Sequence, residues 1–343
     1  MKISRDFNLG RIRCEIMAFK VVITDYIYGE PTEEIEILKT IGAEVEMHQC
    51  KTEKEVIETA KDADAILNTY APVSRKVIEN LERCKVIVRY GIGYDTIDTE
   101  AATEKSIVVV NIPSYCIEEV ADHTLALMLC ALRKITVYDR AIRRGKWDWR
   151  DARPINRLKE LTLGLIAVGK IGRAVAERVK PIGMKIIAFD PYVPENKLRE
   201  LGIEPVSLNY LLKNSDVISI HTPLTKETRH MIDYEKIKTM KRGAVLINTS
   251  RGAVIKTEDL IRALEEELIS CAALDVLESE PPPADFPLLK FENVVLTPHA
   301  SFYSEGSLKE VKRIAAEEVV RVLSGKKPLN CVNPEVLEKV KLS

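Results

Sequence analysis

From residue 19 the chain alternates short apolar runs with amphipathic stretches. Runs at 21–24, 44–47, 65–67 and 86–88 have the length and the apolar content of buried strands. Between them, 32–41, 53–60 and 73–81 place apolar residues at helical spacing, as Ile35, Leu38 and Ile41 do in the first. A strand at 107–111 closes this set ahead of Pro113. Strand followed by helix, repeated, predicts a parallel sheet covered on both faces. A long helical pattern then begins near Ile117, keeps Val120, Leu125, Leu129, Leu132 and Ile135 on one face, and stops at Gly145. Trp147, Trp149 and Pro154 predict an extended crossing segment after it. A second alternating set has strands at 163–167, 185–189, 217–220, 244–248, 271–274 and 294–296, with helices between. Six strands with helical crossovers are the size of a whole dinucleotide-binding domain. A last helix, 303–323, ends at Gly325 and Pro328.

At 343 residues, two domains are expected. The 51 basic and 52 acidic residues leave a net charge of −1, which argues against a nucleic-acid surface built on bulk charge. No run approaches the roughly 18 apolar residues of a membrane-spanning helix. The seven cysteines, Cys14, Cys50, Cys84, Cys116, Cys130, Cys271 and Cys331, show no CxxC spacing, so neither a disulfide framework nor a metal site is expected. Free thiols in a reducing cytoplasm are the plain reading. Residues 1–16 carry Lys2, Arg5, Arg11 and Arg13 without an apolar segment; they read as an N-terminal extension and not as a signal peptide. Gln49 is the one glutamine, against abundant Lys and Glu, a bias found in proteins of hot organisms.

Between a predicted strand and a predicted helix lies Ala167-Val168-Gly169-Lys170-Ile171-Gly172. Gly169 lets backbone approach a pyrophosphate, Gly172 lets the helix pack close to the strand, and the amides of the helix start face the phosphates. Ala167 stands where the usual fingerprint has its first glycine, and it is tolerated in the turn if its φ is negative. Asp190 ends the next strand, eighteen residues after Gly172. A carboxylate there accepts from ribose hydroxyls and repels a 2′-phosphate, so NAD is favoured over NADP. A tight strand–helix turn with a loop acid is the plainer alternative. Three later strand ends carry ionisable groups: Arg251 after Asn248-Thr249-Ser250, Glu280 after Asp275 and Glu278, and His299 after Thr297-Pro298. A guanidinium grips a carboxylate, an imidazole exchanges protons near neutral pH, and a carboxylate behind it fixes its tautomer. As plainer alternatives, Arg251 serves a structural salt bridge and His299 is a satisfied turn histidine.

These motifs together resemble the D-isomer-specific 2-hydroxyacid dehydrogenase family from about Phe19 onward. They are the A-V-G-K-I-G turn with Asp190, His221-Thr222-Pro223-Leu224-Thr225, Asn248-Thr249-Ser250-Arg251-Gly252, Ala272-Ala273-Leu274-Asp275-Val276, Glu280-Pro281 and Thr297-Pro298-His299. Val88-Arg89-Tyr90-Gly91-Ile92-Gly93-Tyr94-Asp95 and His299-Ala300-Ser301-Phe302-Tyr303-Ser304-Glu305 are similar to its C-terminal-binding-protein branch, with Phe302 where the corepressors carry Trp.

The resemblance implies an α/β fold of two doubly wound parallel-sheet domains. A Rossmann NAD-binding domain (116–298) is inserted into a flavodoxin-like substrate domain (17–115 and 299–343), with hinges near Ser114 and His299. It implies reduction of a small 2-keto acid by NADH, with Arg251, Glu280 and His299 catalytic. The implied cofactor set is Gly169, Lys170, Ile171, Gly172, Asp190, His221, Thr222, Pro223, Thr249, Ser250 and Asp275, the last placed behind the reacting groups. The implied substrate set is Arg89, Tyr90, Ile92, Gly93 and Phe302, with the Ile92 and Gly93 amides on the substrate carboxylate. Phosphoglycerate dehydrogenase and glyoxylate or hydroxypyruvate reductase are the rival activities. An NAD-sensing, partner-binding protein is the alternative of a different class. The apolar content of the helix from Ile117 points to a homodimer. His48 and His230 read as surface residues, His123 as an interface or core histidine, and Asp122 as structural. Glu160, Glu267 and Cys271 replace glycines of the family pattern, Glu267 at a left-handed helix end.

Overall fold

Five strands of the first part of the chain pair side by side: β1 (Lys20–Ile23), β2 (Glu44–Met47), β3 (Ala65–Asn68), β4 (Val86–Arg89) and β5 (Val108–Val110). The computed structural model describes residues 18–343, so the N-terminal extension and Cys14 lie outside the described residues. The strand order is β2-β1-β3-β4-β5 and every pairing is parallel, the flavodoxin-like arrangement. The crossovers are α1 (Thr32–Lys39), α2 (Glu53–Ala60), α3 (Arg75–Glu79) and α4 (Thr99–Glu104). A capping box starts α2: Thr52 Oγ1 accepts from the Glu55 amide, and Glu55 Oε2 accepts from the Thr52 amide at 2.9 Å. The sequence pattern misses α4, whose buried residues are only Ala101 and Ala102.

The predicted helix from Ile117 to Gly145 is two helices, α5 (Ile117–Leu132) and α6 (Ile135–Arg143). Lys134 adopts a left-handed φ of +51° between them. No glycine or proline marks that break, and the apolar stripe keeps its phase from Leu132 to Ile135. Beyond α6 the segment predicted to be extended contains a 3₁₀ turn, Trp149–Ala152.

The second sheet consists of β6 (Thr162–Ile166), β7 (Lys185–Phe189), β8 (Glu204–Pro205), β9 (Val217–Ile220), β10 (Val245–Asn248), β11 (Cys271–Leu274) and β12 (Val294–Leu296). Its helices are α7 (Lys170–Val179), α8 (Glu195–Glu200), α9 (Leu208–Asn214), α10 (Tyr234–Thr239) and α11 (Thr257–Glu265), and α12 (Glu305–Leu323) follows. Seven strands pair where six were expected, because the two-residue β8 is too short to leave a pattern. The order β12-β11-β10-β9-β6-β7-β8, all parallel, is doubly wound, with its switch point between β6 and β9. Successive residues of one strand feed opposite cores. Val245 and Ile247 pack with α5 and α7, and Leu246 with α10 and α11.

The chain divides into two compact units: 18–90 with Thr96–Ile112 and Lys312–Ser343, and Gly91–Asp95 with Pro113–Val311. The residues 299–311, expected with the first sheet, group with the second. The backbone amides of His299, Ala300 and Ser301 all bond to Asp275 there.

Candidate active site at the strand ends of the second sheet

Strands β10, β11 and β12 are neighbours, and their carboxyl ends carry Arg251, Glu280 and His299 in that order. His299 Nδ1 lies 2.7 Å from Glu280 Oε2. An ionised carboxylate only accepts, so Nδ1 carries the hydrogen and Nε2 is the ring nitrogen turned to other work. Glu280 Oε1 in turn accepts from the Leu277 amide at 2.8 Å, which fixes the carboxylate. His299 has a left-handed φ of +52°. A non-glycine residue is held there at a cost of about 1–2 kcal/mol. The surrounding bonds supply the hold. The His299 amide donates to the carbonyls of Asp275 (2.8 Å) and Thr297 (3.0 Å). Asp275 Oδ1 accepts from the Ala300 amide at 2.8 Å, and Oδ2 from the Ser301 amide at 2.9 Å.

Arg251 donates from Nε to Asp95 Oδ1 at 2.8 Å and from Nη1 to the Ser250 carbonyl at 2.8 Å. Its Nη2 lies so close to Gly93 that a Cβ there would sit 1.5 Å away. Gly93 is therefore a glycine because a guanidinium occupies the place of its side chain. Asn248 holds the loop from beneath: Nδ2 donates to the Arg251 carbonyl at 2.8 Å and Oδ1 accepts from the Ser250 amide at 3.0 Å. Gly252 lets this loop abut the next one, since a Cβ would meet the Leu277 carbonyl oxygen at 2.1 Å.

The glycine turn after β6 is built differently. Gly169 is the N-cap of α7 with no side-chain cap, and a Cβ there would meet nothing within 4 Å. The first amides of α7, at Lys170, Ile171 and Gly172, thus follow an uncapped and unobstructed residue. Gly172 is required for another reason: its Cβ would lie 2.5 Å from the Ala167 carbonyl oxygen. Ala167 has a φ of +71°, so the condition of a negative φ is not met and the residue in place of the first glycine is left-handed. Glu267 is left-handed as expected, with a φ of +53°. Asp190 ends β7; Oδ2 accepts from the Val168 amide at 2.7 Å and Oδ1 from Tyr192 (2.8 Å) and Val193 (3.1 Å). The carboxylate is thereby aimed, with lone-pair capacity left on Oδ2. At the end of β9, His221 shares a hydrogen bond with Ser219 Oγ at 2.9 Å, and burial pushes its imidazole down to about 4. Thr222 Oγ1 is buried without a hydrogen-bond partner, and Pro223 beside it is exposed. An open helix N-terminus, an aimed carboxylate and an unsatisfied hydroxyl, all at the switch point, fit a dinucleotide.

Several assignments change character. Thr249 is buried with its hydroxyl 2.9 Å from Thr124 Oγ1, so it ties β10 to α5 and does not reach outward for a cofactor. Ser250 turns its hydroxyl to Asn248 Oδ1 at 2.8 Å. The Asp275 side chain has no exposed surface. Burial raises its pKa, but hydrogen bonds from the Thr297 and Ser301 side chains and the Ser301 and Ala300 amides outweigh that and hold the carboxyl below its usual range. The side chains of all three brace the loops. Tyr90, expected on the substrate, is wholly buried with its hydroxyl on Glu34 Oε1 at 3.3 Å. A residue following the buried strand β4 points into the first unit's core. Arg89 is 8% exposed, donates from Nη1 to the Tyr90 carbonyl at 2.5 Å, and leaves Nε without a partner. The Phe302 ring stands edge-on to His299, 6.3 Å between centroids. Sequence reasoning gave no role to Asp95, although the quoted motif contains it. It likewise gave none to Asn248 or Thr297, the polar residues that flank the reacting ones.

A family model described as D-isomer specific 2-hydroxyacid dehydrogenase, NAD binding domain, matches residues 125–301. D-3-phosphoglycerate dehydrogenase of Methanocaldococcus jannaschii is 42% identical over 94% of this chain and 61% of its own length. The chain thus spans about three-fifths of that relative. Glyoxylate reductase of Korarchaeum cryptofilum is 41% identical over 84% of this chain and 88% of its own. Among solved structures, D-lactate dehydrogenase from Aquifex aeolicus, complexed with NAD and lactic acid, superposes with a TM-score of 0.81 at 30% identity, covering 94% of this chain and 98% of that one. The chain belongs to the D-isomer-specific 2-hydroxyacid dehydrogenase family. Within it, the second unit contains the family's NAD-binding domain. These relatives carry the names of dehydrogenases and reductases, which supports the enzyme and not the partner-binding protein. Among the described residues there is no cluster of potential metal ligands, and no helix is long and apolar enough to cross a membrane.

Proposed function

We propose that this chain is an NAD-dependent D-2-hydroxyacid dehydrogenase that reduces a small 2-keto acid. The observation that carries this reading is the His299–Glu280 pair at 2.7 Å on the strand end next to Arg251's. When bound, the reduced cofactor supplies a hydride. Gly169, Lys170, Ile171 and Gly172 receive its pyrophosphate on backbone amides, Asp190 takes the ribose hydroxyls, and the Thr222 hydroxyl completes the cradle with His221 and Pro223 behind it. Asp190 also sets the preference for NAD, because a 2′-phosphate would meet its negative charge.

Arg251 binds the substrate carboxylate and polarises the keto oxygen, with the amides of Ile92 and Gly93 on the other carboxylate oxygen. Asp95 holds the guanidinium in place by its Nε. His299, protonated, gives the Nε2 proton to the oxygen on which negative charge develops. Glu280 orients the ring and stabilises the imidazolium through Nδ1. Phe302, whose ring stands edge-on to His299, selects the substrate's side chain.

The test is a panel of 2-keto acids, including glyoxylate, hydroxypyruvate, pyruvate and 3-phosphohydroxypyruvate, each with NADH and with NADPH. Turnover of at least one with NADH is expected; oxidation of NADH by none would sink the reading.

The same reading includes a homodimer in a reducing cytoplasm. The apolar residues of α5, offered above as the reason for a dimer, already fill the protomer's own core at Ala121, Leu127, Met128 and Ala131. A better reason lies in α6, which buries no residue and is followed by Trp147 and Trp149, 88% and 68% exposed. Light scattering after size exclusion should give twice the chain mass, and a monomer would refute the dimer.

A further inference from the structure

One titratable side chain lies behind the proton-transfer loop without belonging to the reacting set. His123 projects from α5, and its Nε2 lies 3.0 Å from Thr297 Oγ1. The Thr297 hydroxyl donates to Asp275 Oδ1 at 2.5 Å. A hydroxyl has one hydrogen. With that hydrogen on Asp275, His123 must donate, so its Nε2 carries a hydrogen. Asp275 Oδ1 is 3.7 Å from the same nitrogen. The chain of donors therefore runs from His123 through Thr297 to Asp275, and the same carboxylate receives the amides of Ala300 and Ser301. These two amides immediately follow the left-handed His299. A second α5 contact supports the far side of the loop, where the Ser304 hydroxyl donates to Glu119 Oε1 at 2.7 Å.

We propose that His123 is a positioning residue for proton transfer at His299. As an Nε2–H donor it fixes the Thr297 hydroxyl rotor, the rotor orients the Asp275 carboxylate, and the carboxylate fixes the backbone that aims the imidazole. The proposal rests on the reading of His299 as the proton donor. A displacement of about 1 Å in a reacting group is enough to lower turnover by orders of magnitude, so a hydrogen bond two residues from the ring has leverage on the rate without touching substrate.

His123→Leu is expected to lower kcat by about tenfold or more. The NADH dissociation constant should stay within about twofold, because the glycine turn and Asp190 are untouched. The primary isotope effect from 4-deuterated NADH should rise as the chemical step becomes slower. His123→Gln, which keeps an amide N–H donor, should recover most of the loss. Thr297→Val should reproduce the defect, and the double variant His123→Leu with Thr297→Val should be no worse than either single change, since all act through one chain of bonds. The proposal is overturned if His123→Leu keeps kcat within twofold, if the Leu and Gln variants are equally impaired, or if the two losses multiply. His299→Ala is run alongside: normal turnover in that variant would overturn the assignment of the proton donor, whereas its inactivity beside an unimpaired His123→Leu would overturn the positioning role alone.

Discussion

The loop carrying His299 and the turn carrying Gly169 stand at strand ends of one sheet and are built in opposite ways. Each contains a left-handed residue that is not glycine, His299 at +52° and Ala167 at +71°. Around His299, Asp275 and Thr297 engage the local backbone and side-chain donors, and the ring itself is held by Glu280. Around Gly169 the donors are backbone amides without a side-chain cap. The loop is braced by the chain's own side chains, whereas the helix start at the turn has no side-chain cap. Strain serves function where the side chain's aim matters, and is incidental where only the backbone's path matters.

The comparison breaks most visibly at the ring. His299→Ala should lower turnover by about 10²–10⁴-fold while NADH titrates normally, because the turn does not depend on the loop. Asp275→Asn should cost about 3 kcal/mol of stability in denaturant unfolding, since an amide offers one acceptor where two oxygens now receive four donors. Its pH signature has a definite sign. The folded carboxyl is held below its unfolded value, so the stabilisation is present above about pH 4 and is lost as pH falls through the folded value. The variant should lack that acid-limb component below about pH 4.

On the turn, Gly172→Ala forces a Cβ to within 2.5 Å of the Ala167 carbonyl oxygen. A destabilisation of about 1–3 kcal/mol is expected, together with weaker NADH binding and an unchanged His299 pH–rate profile. His221 sharpens the contrast through titration. Its folded imidazole is depressed to about 4, so it stays neutral while the unfolded chain takes up a proton near 6.5. Stability should therefore fall as pH drops from about 6.5 to about 4 and level off below, and His221→Gln should flatten that slope in a series of denaturation curves. The smallest effect is at Ala167. Replacement by Gly relieves the left-handed strain at some entropic cost, leaving a gain of about 1 kcal/mol or less and unchanged NADH affinity. A loss of stability would mean that the methyl group packs usefully.

Much of this was legible in the chain itself. Strands such as 185–189, 217–220, 271–274 and 294–296 appear at the predicted residues because parallel strands buried on both faces read as uninterrupted apolar runs. Gly169, Gly172 and Asp190 stand out because backbone approach and ribose binding each admit few residue types. The break at Lys134 was not legible, since the apolar stripe continues through it and a left-handed lysine has no distinctive neighbours. Nor was the inward use of Thr249, Ser250 and Asp275. A strand end shows which residues leave the sheet, but not which side of the loop each polar atom faces. The pairing of Arg251 with Asp95 spans 156 positions and joins two separate motifs that nothing in the sequence relates.

Gly252 has a kinetic meaning. Its hydrogen allows the loop after β10 to rest against the Leu277 carbonyl, and the Leu277 amide is the donor that holds Glu280. Arg251 and Glu280 are thus carried on two loops in van der Waals contact, and neither loop can swing while its neighbour stays. Whatever slow motion admits a substrate or releases a product must move the anion grip and the support of the proton donor as one body. Exchange broadening in this region should accordingly report a single relaxation rate for both loops.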